Sequence, residues 1–320
     1  MPAVVGVVAV AVRPRTIAAR PGFRRTPTGS VLDVARFTTV GTFTLPASPS
    51  SRSVVLSTQV TVSVPTRLAL SVLAWCRPPG SDSATPEAPS LRDVLVIGQN
   101  PVPGRTSAQV ASRTLSGRAI VDVPAGTTVG CVLQLSPRTE TLGSSSMRLI
   151  SGRFAAAPVT VPARAAQRPA LLVGQPGSPG SAGRAIPERR VAVIRPTAIA
   201  PGRIRVEGEA ELTTCAYGYQ LCARGTSAPA SVELRLELAE VGVGGRVCAQ
   251  AHGALRRVTI TPDVHHVKVI APALAHTVGC GGAVTAWLLV RHRGGNAVEV
   301  EPTLAATRVQ THVWLESSTS

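Results

Sequence analysis

The sequence predicts an all-β chain of two tandem antiparallel β-sandwich domains related by internal duplication, and three observations carry that prediction. Short stretches alternate apolar and polar residues with period two. Gly and Pro break the chain into brief segments along its whole length. Three sequence matches recur in the same order in the two halves.

The alternation is clear in each half. In Ser57-Thr58-Gln59-Val60-Thr61-Val62-Ser63-Val64, the three valines Val60, Val62 and Val64 share one face. In the second half Val232, Leu234, Leu236 and Leu238 share one face, and Glu233, Arg235 and Glu237 share the other. Successive side chains of a strand point to opposite sides, so each stretch buries one face and wets the other. Two such sheets satisfy each other's apolar faces by packing as a sandwich. Aromatics are 3% of a chain whose hydrophobic fraction is 44%, so the core must be aliphatic. Val and Thr both favour a pleated surface over a helix, and no stretch reads as a helix of three turns. Residues 81–114 are rich in Ser and Pro and read as a long loop carrying one short strand at Leu95-Val96-Ile97.

The first match sets Val12-Arg13-Pro14, followed by Arg20-Pro21-Gly22, against Ile194-Arg195-Pro196, followed by Ala200-Pro201-Gly202. The second sets Val121-Asp122-Val123-Pro124 and the ending Thr128-Val129-Gly130-Cys131 against Val267-Lys268-Val269 and Thr277-Val278-Gly279-Cys280. The third sets Leu68–Cys76 against Val232–Leu238 running on to Val247-Cys248. Two copies make a pair of domains rather than a solenoid. Between them, Gly174-Gln175-Pro176-Gly177-Ser178-Pro179-Gly180 reads as a linker. The expected boundaries are 1–162 for the first domain, 163–187 for the linker and 188–320 for the second domain.

The repeat also assigns the six cysteines. It equates Cys76 with Cys248 and Cys131 with Cys280, which gives bridges Cys76–Cys131 and Cys248–Cys280 and leaves Cys215–Cys222. Two other readings compete. One is zinc, drawing on Cys248, His252, His265, His266, His276 and Cys280; against it, no C-x₂-C spacing exists and the first half keeps its cysteines without a histidine. The other is free cytosolic thiols. Disulfides imply an oxidising compartment, so the expected location is secreted or cell-surface. Met1–Val12 is apolar but lacks a basic region and a small-residue cleavage site. It reads as the opening strand, and the export signal is not found in this sequence. No segment reads as a membrane span.

The formal net charge is +16, and only one of the 33 basic residues, Lys268, is a lysine. The arginines are spread out, and the densest runs are the doublets Arg24-Arg25, Arg189-Arg190 and Arg256-Arg257. Such spreading, with few aromatics to stack on bases, argues against a specific nucleic-acid reader. Non-specific binding to polyanions at low salt is expected.

Catalytic signatures are missing: no G-x-S-x-G, H-E-x-x-H, P-loop or G-x-G-x-x-G occurs, and no cofactor or metal is called for. Glu299 and Glu301 share a strand face, which is the ordinary pattern of a wet face. His252 or His276 as a general base would need an activated nucleophile that the sequence does not designate. Trp75, beside Cys76, and Trp287 read as core. Tyr217 and Tyr219 lie in the Cys215–Cys222 loop, which has no counterpart in the first half, and form the candidate binding site.

The expected function is a non-catalytic structural or adhesive protein at an extracellular surface, acting by self-association or by contact with another surface protein. The alternatives are a structural virion component and a secreted carbohydrate- or protein-binding module.

Overall fold

The computed structural model describes residues 7–21, 37–64, 68–78, 95–99, 111–139, 145–159, 166–167, 171–173, 189–214, 229–261, 266–280, 282–296, 298–301 and 311–317. Among these the chain is built of strands, without an α-helix. No helix is long and apolar enough to cross a membrane. The chain divides into two compact units, Met1–Pro158 with Leu304–Val309, and Val159–Thr303 with Gln310–Ser320.

The first unit contains β1 (Val8–Val12), β2 (Arg15–Pro21), β3 (Thr38–Leu45), β4 (Arg52–Val64), β5 (Leu68–Arg77), β6 (Leu95–Gln99), β7 (Ala111–Val123), β8 (Val129–Thr139) and β9 (Ser145–Val159). The break between β1 and β2 falls at Arg13-Pro14, where proline lacks the N–H a ladder needs. Both strands pair with β9. Counted as one strand, they head a sheet ordered β1/β2–β9–β4–β7, and the facing sheet runs β3–β8–β5–β6. In chain order the sheets read first–eighth–third–sixth and second–seventh–fourth–fifth. This is the order of a jelly roll, two Greek keys folded onto each other. Pairing is antiparallel except at Arg20–Arg138 and Pro21–Thr139, where β2 runs parallel to β8.

The alternation seen in the sequence decides which face goes inward. Val60 and Val62 are fully buried, as are Leu56, Leu115 and Val121 from the same sheet. Val72, Leu133 and Leu135 meet them from the other sheet. Each such side chain contributes about 1.5–3 kcal/mol by leaving water. Phe43 and Phe154 supply the aromatic contact, with ring centroids 4.6 Å apart. Gly152 is required where β9 runs between β1 and β4: a Cβ there would lie 2.9 Å from Val12 Cβ and 3.1 Å from the Gln59 carbonyl oxygen. The 81–114 loop is shorter at its end than the sequence suggests, because β7 begins at Ala111. Its Ser, Arg and Thr residues alternate in register with β4, from Ala111 opposite Val64 to Val123 opposite Arg52.

The second unit contains β10 (Ala166–Gln167), β11 (Leu171–Val173), β12 (Arg189–Ala198), β13 (Gly202–Thr214), β14 (Ala230–Val241), β15 (Val247–His252), β16 (Arg256–Ile260), β17 (His266–Ile270), β18 (Leu274–Val278), β19 (Ala283–Gly294), β20 (Val298–Glu301) and β21 (His312–Ser317). One sheet runs β10–β12–β19–β14–β15, with β16 also on β14; the other runs β11–β20–β13–β17, with β18 and β21 also on β13. Val232, Leu234, Leu236 and Leu238 are buried in its core, as their spacing predicts. Within the stretch read as a linker, β10 adds to β12 and β11 adds to β20, so part of 163–187 extends the edges of these sheets.

The three sequence matches fall on the strands unevenly. The first lies on β1/β2 and on β12, which pair with β9 and β19 respectively, and β12 slips register between Ile194 and Thr197 at its own Arg-Pro. In the second, Val121–Val123 ends β7 against β4, whereas Val267–Val269 lies in β17 against β13. In the third, β5 pairs with β8, whereas β14 pairs with β19.

Two disulfides are formed, Cys76–Cys131 and Cys248–Cys280, as assigned. Their settings differ. Cys76 and Cys131 are direct cross-strand partners on β5 and β8. Cys248 sits on β15, in one sheet, and Cys280 follows β18, in the other. Cys215 and Cys222 lie outside the described residues.

The chain's one lysine is buried. Lys268 Nζ lies 3.0 Å from Glu209 Oε1, with both side chains at 0% exposure. A charge without its partner at such a site is costly to hold. Lys268→Met should therefore destabilise the protein by about 3–5 kcal/mol. Adding Glu209→Leu should recover most of that loss, as read by urea unfolding of the two variants.

Candidate functional site

The most fully organised polar centre of the described residues is built around Glu240. This glutamate is in phase with Val232, Leu234, Leu236 and Leu238, so the pleat turns it toward the interior at the end of β14. It is 2% exposed. Its Oε1 lies 2.5 Å from His276 Nε2 on β18. Its Oε2 accepts from two backbone amides, Gly279 at 3.1 Å and Cys280 at 3.0 Å. Burial pushes the carboxyl pKa up, but the His276 hydrogen bond, the Cys280 and Gly279 amides and the histidine charge outweigh it and hold it below its ordinary value. The carboxylate thus ties the turn after β18 to the end of β14, beside the Cys248–Cys280 bridge.

This geometry describes a clamp. Both oxygens of Glu240 are committed to donors. The groove alongside, of about 410 Å³, is lined by Arg203, Ile204, Arg205, Ala275, His276 and Thr277. Neither a serine nor a thiol is among those six residues. Cys248 and Cys280 come within ligating reach of Glu240, but their sulfurs are bonded to each other and offer no thiolate to a metal.

The outward face of β14 carries a second set of charges. Glu233 Oε1 accepts from Arg257 Nε at 2.8 Å, and Glu237 Oε1 accepts from Arg235 Nη2 at 2.8 Å and lies 2.9 Å from His252 Nδ1. His252 is more than half exposed. Of these, Glu233 and Arg257 are cross-strand partners, a pairing that supports a sheet by a few tenths of a kcal/mol up to about 1 kcal/mol.

The sequence-predicted residues are dispersed. His276 joins Glu240, while His252 belongs to the outward ladder, so the two histidines do not share a site. His266 opens β17. Glu299 and Glu301 lie on β20, opposite Thr213 and Glu211 of β13. Tyr217, Tyr219, Cys215, Cys222 and His265 lie outside the described residues.

Two tryptophans are placed differently from the core positions expected of them. Trp75 is next to Cys76, so the pleat sends them to opposite faces. Cys76 is buried in the main core, whereas Trp75 is half-buried on the opposite face. There, with Phe37, it packs on the fully buried Leu73 in a small separate cluster, hydrogen-bonded to Gln134 at 3.2 Å and stacked by Arg77 at 4.4 Å. Trp287 is likewise half-buried and outward, under Arg190 at 4.2 Å. Trp314 is the fully buried one.

No family model matches the chain, and no curated protein matches it either. Among solved structures it is similar to one of Broad Bean Stain Virus at 10% identity, covering 98% of this chain and 90% of that one, with a TM-score of 0.24. It is similar to the empty top component of Cowpea mosaic virus at 9% identity, covering 84% and 80%, with a TM-score of 0.24. A peptide-N-glycan asparagine amidase follows at 10% identity, covering 95% and 100%, with a TM-score of 0.17. Likenesses at these TM-scores carry no argument about this chain.

The Glu240 clamp has a pH signature. A carboxyl with a lowered folded pKa stabilises above its unfolded value, near 4.3, and that stability is lost as pH falls through the folded value. At pH 7, Glu240→Gln should lower Tm, at a cost of about 1.5–3 kcal/mol. Differential scanning calorimetry should show the gap between wild type and E240Q closing as pH drops below about 4.

Proposed function

We propose that this chain is a non-catalytic structural protein that self-associates outside the reducing cytosol, as a component of a virion shell. The observation that carries the proposal is the strand order of the first unit, first–eighth–third–sixth facing second–seventh–fourth–fifth. Jelly rolls serve in capsid and lectin domains, where rigid sheets present edges and loops to neighbours. Fold alone does not assign function, so the shell reading draws on two further features. β7 is thirteen residues long and, among the described strands, pairs only with β4. A long strand at the end of a sheet is a template for another chain. The Cys76–Cys131 and Cys248–Cys280 bridges suit an oxidising setting such as a virion or cell surface.

Purified, oxidised protein should sediment as assemblies far larger than the 33.0 kDa chain and give closed or regular particles by negative-stain electron microscopy. A protein that stays monomeric across salt and pH overturns the shell reading. Monomers that are retained on cell surfaces favour an adhesive role. In that case replacement of Tyr217 and Tyr219 by alanine tests whether their loop makes the contact.

A further inference from the structure

We propose that the outward face of the β1/β2–β9–β4–β7 sheet binds the phosphodiester backbone of nucleic acid without reading its sequence. The described residues of the first unit hold ten arginines and one carboxylate, Asp122. Asp122 sits at one end of this face, where it accepts from Ser53 Oγ at 2.6 Å. Beside the exposed Ile150, the face presents several donors. Leu149 and Phe154 of β9 point into the core, so their neighbours Arg148 and Arg153 point outward, and both are exposed. Thr16 lies opposite Arg148 on β2. Gln59 and Thr61 of β4 face Ser116 and Thr114 of β7 in register, and the Thr61 and Thr114 hydroxyls are 2.9 Å apart.

This chemistry matches a phosphate chain. The guanidinium fork fits phosphate oxygens, and Thr and Gln side chains add neutral hydrogen bonds to the same oxygens. Arg148 and Arg153 stand roughly 15 Å apart along β9, so one extended strand can meet both. No aromatic of the described residues faces outward on this sheet, so bases find nothing to stack on and affinity should not depend on sequence. The proposal does not require assembly. A monomer that binds nucleic acid leaves it standing and overturns only the shell reading, while particles that do not bind it overturn this one.

The test is fluorescence anisotropy with a labelled oligothymidylate, titrated at several salt concentrations. Three proteins are compared: wild type, the double variant Arg148→Glu with Arg153→Glu, and a control of equal charge change in the second unit, Arg246→Glu with Arg291→Glu, both exposed. The R148E/R153E protein should lose affinity by about tenfold or more, and its slope of log affinity against log salt should flatten by about 1.4. The control should stay within about twofold of wild type if the effect is local rather than due to net charge. The milder pair Arg148→Gln with Arg153→Gln repeats the test should charge reversal disturb folding, as read by circular dichroism. Equal losses in both charge-reversed proteins, or no loss at R148E/R153E, overturn the proposal. Heparin run in parallel separates the polyanions. Loss of heparin binding alone, with oligothymidylate unaffected, overturns the proposal in favour of a sulfated glycan.

Discussion

Everything in this chain rests on aliphatic strand faces pressed together across two sheets. With so few aromatic rings, no single side chain dominates either core. Stability is spread over Val, Leu, Ile and Ala residues that each reach the interior only because the pleat alternates. A slip of one residue in any strand would exchange its buried set for its wet set. Register is therefore the quantity the structure must protect. The long ladders of β4 with β7 and of β14 with β19, the Arg-Pro interruptions and Gly152 all act on it.

What the sequence made legible was local. Val60 and Val62, and the run from Val232 to Leu238, revealed their inward face by spacing alone, and the strands followed from them. The pairing of Cys76 with Cys131 and of Cys248 with Cys280 was also readable. The settings of those pairs were not, because one is a cross-strand contact and the other joins two sheets. The neighbours of Trp75 and Trp287 suggest core, whereas parity beside Cys76 and Leu288 turns both away from the main cores. Glu240 does carry a signal in the sequence: an acid in phase with four buried aliphatics demands partners inside. Its partners, His276 and the amides at 279 and 280, lie 36 to 40 residues away, and no short motif records them.

The distribution of charge follows the same logic. Arg148 and Arg153 keep a forked charge at the surface, where long stems cover the sheet and heads stay wet. The lone lysine, by contrast, is enclosed with Glu209. The acids cluster in the second unit, along β13 and β14, where Glu207, Glu209, Glu211, Glu233 and Glu240 are all buried and partnered. Among the described residues, the first unit is thus almost purely cationic, while the second sets nine carboxylates beside its eleven arginines and one lysine.

The two sulfur links also age differently. In the first unit the bridge joins strands that already share a hydrogen-bonded ladder, so a reducing agent would cut it and leave the neighbours zipped. In the second unit it connects an outer strand of one sheet to the turn after β18 in the other. Severing it there would leave Glu240 as the fastening at that corner, with acid the next thing able to loosen it. In a medium both reducing and acidic, the second unit would loosen first at that corner.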